Sequence, residues 1–298
     1  MEGPPRKPSN LALRFAIGIP AGIAAVWFFA FGNLTLLVFV MVASWLALRE
    51  FWRLTGVAHH GKLFSLARLG ELATVIFLYI TWAVPSGSPD VLLAFFLPLL
   101  FIVQLFAFAR GAKSYLHEVA VVALGVLYIG GFLSFIFRLR ELELFLVGIG
   151  DLTFSHAFYR SPDMIHLTIF PVLGSWCYDT SAFFAGKYFG SEKLAPSISP
   201  KKTIAGLIGG MMGSATGVAV YSYLIGLVGR VPLWELIVFG AAIGAFAQLG
   251  DLTVSALKRE AQMKDSGRLL GAHGGMLDRI DGFLFAVPGT YIFFMLVL

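Results

Sequence analysis

A chain of 298 residues that is 58% hydrophobic and only 13% charged lies far from the roughly 25% charged composition of soluble domains, and its mean hydropathy of +0.83 excludes an ordinary water-soluble fold. The formal net charge of +5 does not point to nucleic acid, because a basic excess on a membrane chain reflects Lys and Arg retained on the cytoplasmic side. A single cysteine, Cys177, excludes an internal disulfide and any Cys/His zinc site, and reads as a small apolar side chain.

The polar opening MEGPPRKPSN is followed by an apolar run without an A-x-A cleavage site, so the first span is read as retained. Apolar runs at about 11–31, 34–51, 70–85, 91–109, 119–137, 165–186, 204–228, 231–256 and 283–298 are bounded by Gly, Pro or charges. They predict an all-α, polytopic integral membrane protein of about nine transmembrane helices. The alternating ten-residue segments of a closed barrel are not seen. Lys and Arg crowd the N-terminal tail and the second, fourth, sixth and eighth loops, which predicts a cytoplasmic N-terminus and an external C-terminus. Loops six and eight, the two charged ones of interest, then face the cytoplasm together. Residues 1–160 read as helices for packing, dimerisation or lipid access, and 161–298 as the catalytic region.

Asp179 sits within an otherwise apolar run and is followed by Lys187 and by Ser199-Pro200-Lys201-Lys202-Thr203 before a helix. Ser199 or Thr203 is placed to cap that helix, and lysines at a helix N-terminus make a phosphate cradle. The next span opens GLIGGMMGSATG, whose small-xxx-small pairs allow close backbone approach. Internal helix packing is the favoured reading of that stripe, a homodimer seam the second.

Asp251 closes the following span, and Ser255 and Lys258 come at offsets of four and seven on the same helical face, with Arg259 beside them. A polar hairpin then carries Lys264, His273, Gly274 and Gly275 into Asp278, Arg279 and Asp281. The i, i+3 spacing puts Asp278 and Asp281 on one face. Carboxylates in spans are costly unless neutralised, and oxygen-only ligands suit Mg²⁺. Asp251, Asp278 and Asp281 are therefore the expected metal set, holding one or two cations. The competing reading pairs Asp278 and Asp281 with Arg279, Lys258 or Arg259. There is no Walker A loop, H-E-x-x-H or G-x-S-x-G, and phosphoryl or nucleotidyl transfer to a lipid fits the inventory best.

The passage Ser255 to Asp281, read as S-x-x-K-R, K-D and H-G-G-x-x-D-R-x-D, resembles the signature of the phosphatidate cytidylyltransferases, or CDP-diacylglycerol synthases. A second similar block runs from Asp179 to Lys201-Lys202-Thr203 and Gly206, and Gly250-Asp251-Leu252 agrees as well; the first 160 residues match only in helical character and in the Arg-Glu-Phe around Glu50. Two departures stand out: Gly271-Ala272 replaces a frequent Pro-Gly, and Ala205 stands where a Glu is common. The second removes a carboxylate, so that Glu is dispensable or the activity is altered. The resemblance implies CTP and phosphatidic acid as substrates, Mg²⁺ as cofactor, and a cell (inner) membrane location with the active site facing the cytoplasm. It implies catalytic roles for Asp251, Lys258, Arg259, Asp278 and Asp281. Substrate contacts would come from Asp179, Ser199, Lys201, Lys202, Thr203, Ser255, Lys264, His273, Gly274, Gly275 and Arg279. The rival readings are transfer to another lipid acceptor and, from a different class, a cation-coupled transporter.

Overall fold

The structure is a computed structural model, and it describes residues 27–28, 33–57, 66–84, 98, 102, 105, 109, 115–146, 166–267 and 274–297. The expected spans at 11–31 and 91–109 lie almost wholly outside the described residues, as do His273 and Arg268. Among the described residues there are seven helices. They are α1 (Asn33–Leu54), α2 (Leu66–Ala83), α3 (Tyr115–Gly125, continued through a π-turn at Val126–Gly131 into Phe132–Leu146), α4 (His166–Phe189), α5 (Ile204–Leu224), α6 (Leu233–Glu260) and α7 (Leu277–Val297). Six of them are long and apolar enough to cross a membrane; α4, which carries Asp179, is not among the six.

The all-α expectation holds, with one short hairpin added to the helices. The lead into α5 is a strand: β1 (Lys193–Ala195) pairs antiparallel with β2 (Ser199–Thr203), with Lys193 opposite Thr203 and Ala195 opposite Ser199. The cause is local, because Ala195 and Ser199 each precede a proline, and a residue before proline is pushed from the helical to the extended region. Proline is tolerated here because a two-stranded ribbon is all edge. At the strand's end Thr203 turns extended, and its Oγ1 accepts from Gly206 N at 3.1 Å, the N-cap expected from sequence.

Helix packing is set by small residues. The α5 stripe is spent inside the molecule: Gly209 faces Ala185, Gly213 faces Ser181 and Gly217 faces Cys177, all on α4, while a Cβ on Gly206 would lie 3.5 Å from Gly186 Cα. Internal packing, the favoured sequence reading, thus accounts for these glycines. Gly125 lies against the Trp52 ring and Gly130 against Thr74, seating α3 on α1 just before the π-turn and on α2 within it. One apolar cluster runs from Leu36 to Phe294 through both halves of the chain. It includes the Phe239–Phe293 stack, at 4.1 Å between ring centroids. At one end of this core the last turns of α1, α4 and α6 meet the first turns of α5 and α7.

Candidate active site at the polar end of the bundle

The crossing of α6 and α7 is the foundation of the site. Gly250 lies so close to the Asp281 carbonyl that any side chain there would overlap it, and a Cβ on Gly282 would lie 3.1 Å from the Ala247 carbonyl oxygen. Asp251, next to Gly250, is thereby brought to the first turns of α7. Asp281 has Asp251 and Asp179 as like-charged neighbours, and its Oδ1 accepts from Gly282 N at 2.7 Å. Asp179 in turn feels Asp251, Lys202 and Arg279. Its side chain is exposed. Three carboxylates from α4, α6 and α7 therefore surround one region, together with cations from β2 and α7.

Lys202 forms an ion pair with Asp251, and Ser255 Oγ donates to Asp251 Oδ1 at 3.2 Å across one helical turn. The cradle expected at the α5 N-terminus is thus drawn onto the aspartates, leaving Lys201 exposed. Arg259 donates from Nε to the Ile198 carbonyl at 3.0 Å, tying the end of α6 to the hairpin. Thr203 caps α5 and packs beside Gly186 and Gly190. Ser199 is half-buried, and Lys264 and Arg279 are exposed.

Asp278 keeps different company from the other aspartates. Its Oδ1 accepts from Lys258 Nζ at 2.6 Å, and its Oδ2 accepts from Ser266 N and Oγ at 2.9 Å and from Gly275 N at 3.1 Å. The i, i+3 relation to Asp281 holds, yet this carboxylate is turned to four protein donors, and Lys258 is committed with it. The Lys258 pairing weighed from sequence describes Asp278; it does not describe Asp281. Gly274, at φ +79°, allows the chain to bend onto this carboxylate, and a Cβ there would stand 2.8 Å from Asp278 Oδ2.

Two further residues come from the N-terminal half. Glu50, on α1, is 8% exposed and accepts hydrogen bonds from Ser266 Oγ, Met276 N and Leu277 N. Sequence reasoning noted it only within a resembling tripeptide, although a carboxylate in an apolar span was itself a signal. Tyr128, in the π-turn, is 7% exposed with no hydrogen-bond partner for its hydroxyl among the described residues, and it senses Asp281 electrostatically. Nothing in the sequence distinguishes it from the other aromatics, since the π-turn that orients it follows from packing; such turns are frequent at functional sites.

The donor set admits a hard divalent cation. Among the described residues no three His, Cys, Asp or Glu side chains converge closely enough to ligate one ion together, which argues against an all-protein cage. Mg²⁺ binds instead through one or two carboxylates, several waters and substrate phosphates, and Asp251 with Asp281, joined at a glycine crossing, fits that habit.

Sequence comparison shows what the chain as a whole is similar to. Over 257 residues, 86% of this chain and 88% of the relative, the chain is 28% identical to the phosphatidate cytidylyltransferase of Staphylococcus haemolyticus. It is 34% identical to the Bacillus subtilis phosphatidate cytidylyltransferase over 181 residues, 61% of this chain and 59% of the relative. Against the Staphylococcus saprophyticus phosphatidate cytidylyltransferase it is 39% identical over 142 residues, 48% of this chain and 53% of that relative; that alignment thus spans about half of the relative's length. Residues 12–297 match the cytidylyltransferase family, so helices from both halves fall inside one shared pattern, and this chain belongs to that family.

Proposed function

We propose that this protein is a phosphatidate cytidylyltransferase, joining CTP to phosphatidic acid to give CDP-diacylglycerol and pyrophosphate. The observation that carries the reading is the meeting of Asp179, Asp251 and Asp281 with Lys202 and Arg279 at one end of an apolar bundle. A water-soluble triphosphate and a lipid phosphate can meet only near such a boundary. Family membership and the names of the three relatives support the same substrates.

In this mechanism Asp251 and Asp281 would hold Mg²⁺, as one or two ions, with Asp179 nearby. Bound there, the cation supplies charge neutralisation on the triphosphate. Lys202 exchanges its ion pair with Asp251 for a phosphate oxygen of the nucleotide, and Lys201 and Arg279 offer further positive charge to the triphosphate and lipid head. An oxygen of the phosphatidic acid phosphate attacks the α-phosphorus in line. A new P–O bond forms there, the α–β bridge breaks, and pyrophosphate leaves carrying the electron pair. The attacking phosphate is already anionic, so no strong base is required and His273 need only position phosphate. Lys258 and Asp278 hold the start of α7 so that Asp281 faces Asp251, and Arg259 holds the hairpin that carries Lys201 and Lys202. Fixed cations cost little reorganisation as charge develops.

The distribution of Lys and Arg among the loops supports a site on the cytoplasmic face of the cell membrane, where CTP is found. Residues 161–298 carry the chemistry, and 1–160 supply packing and lipid access. A homodimer would need a face other than the α5 glycine stripe. The deciding experiment is CTP-dependent pyrophosphate release by purified protein in micelles, with and without phosphatidic acid and Mg²⁺, beside Asp281→Asn. Release requiring lipid, Mg²⁺ and Asp281 supports the reading. Release that prefers another lipid phosphate, or none from folded protein, refutes it.

A further inference from the structure

We infer that Glu50 is a positioning residue for the transfer site, acting from α1 through the first turn of α7. Its kinetic consequence rests on the function proposed above; its placement does not.

The first amides of a helix lack intrahelical acceptors and favour negative charge. The usual solution is a Ser, Thr, Asp or Asn at the helix start, but Gly275 and Met276 precede α7 and offer no such side chain. The acceptor comes instead from 226 residues away: Glu50 Oε1 takes the Met276 N–H at 2.9 Å, and Oε2 takes the Leu277 N–H at 2.9 Å. Oε2 is also 2.7 Å from Ser266 Oγ, whose single hydroxyl hydrogen is shared with Asp278 Oδ2 at 2.9 Å. Both Gly267 and Gly275 lie against the Glu50 carboxylate, where any side chain would overlap it.

A cap supplied locally would move with its helix; a remote one fixes where the helix begins. Asp281 follows Leu277 by one turn, so the point at which Glu50 grips α7 sets the position of Asp281. Through Ser266 and Asp278 the same network reaches Lys258, two turns along α6 from Asp251. Glu50 therefore holds both helices that carry the paired aspartates, and it links the N-terminal half of the chain to chemistry performed by the C-terminal half.

The test is Glu50→Gln in the full chain in micelles, with Trp45→Phe on the same helix as control. Each Glu50 oxygen faces a backbone N–H, so an amide must turn its own N–H₂ toward one of them. Hydrogen exchange of the peptide spanning 274–281 should quicken, with the α5 peptides unchanged. The turnover number should fall about 10–100-fold, the range for residues that orient others, while KM for CTP and helical content hold. Ser266→Ala, a smaller change, should shift exchange and turnover in the same direction and serves if Glu50→Gln fails to fold. Unaltered exchange in a folded variant, or activity lost only in proportion to the folded fraction, overturns the inference. Failure of the wild type to use CTP would sink the proposed function and leave the exchange result to decide the role of Glu50.

Discussion

Replacing Gly250 by alanine is the most direct challenge to the site's geometry, because it adds one methyl group where α6 meets α7. A Cβ there would stand 2.8 Å from the Asp281 carbonyl carbon and 2.9 Å from Gly282 Cα, and would overlap the Asp281 carbonyl oxygen. Carbon atoms pack at about 3.5–4.0 Å, so the two backbones must part by roughly 1 Å. No flexible side chain can absorb this, since every nearby atom is main chain. Overpacking of this kind costs about 1–3 kcal/mol, which would lower the melting temperature in micelles without unfolding the bundle. The effect on catalysis should be larger, because a displacement of about 1 Å between catalytic groups can cost on the order of 100-fold in rate, and Asp251 and Asp281 lie directly beside the contact. Pyrophosphate release should therefore drop by about two orders of magnitude in a protein that remains folded. Gly229→Ala is the control, for no atom lies within 4 Å of a Cβ at that position. Full activity in Gly250→Ala would show that the glycine crossing does not set the spacing of the two aspartates.

Three further outcomes follow from the same contacts. Lys258→Met strips a nearly buried Asp278, whose side chain is 9% exposed, of its cation, and should destabilise by about 3 kcal/mol. Asp278→Asn in that background should restore part of the loss in thermal melts, and no recovery would argue against a paired role. Thr203→Ala should cost about 1 kcal/mol by leaving Gly206 N without its cap, while Thr203→Ser should restore that bond; equal melting of the two variants would remove the cap from the account. Tyr128→Phe deletes a buried hydroxyl that has no partner among the described residues, so the variant should melt higher, by about 1 kcal/mol of stability. A lower melting point would show that the hydroxyl is satisfied in the native protein.

Much of this protein was legible in the chain itself. Apolar run length determines which segments can span a bilayer, because an exposed backbone must satisfy its own hydrogen bonds there, and the runs at 34–51, 70–85, 119–137, 204–228, 231–256 and 283–298 all fall on helices. The cap at Thr203 and the shared face of Asp251, Ser255 and Lys258 are local matters of helical period, and sequence spacing suffices for them. The prolines at 196 and 200 also act locally, although sequence spacing alone reads the hairpin they shape only as a charged loop before a helix.

Tertiary structure decided what spacing cannot express. Asp278 and Asp281 share a helical face, yet the return of Ser266 and Gly275 together with Lys258 gives one carboxylate four protein donors, while a glycine crossing sets the other against Asp251. Lys202 reaches Asp251, and Glu50 reaches Met276 and Leu277, across separations that no local pattern encodes. The physical reason is that a helix period fixes only where side chains lie around their own axis. Which cation meets which carboxylate depends on how closely two backbones approach, and here the glycines at 250, 267, 275 and 282 settle that approach.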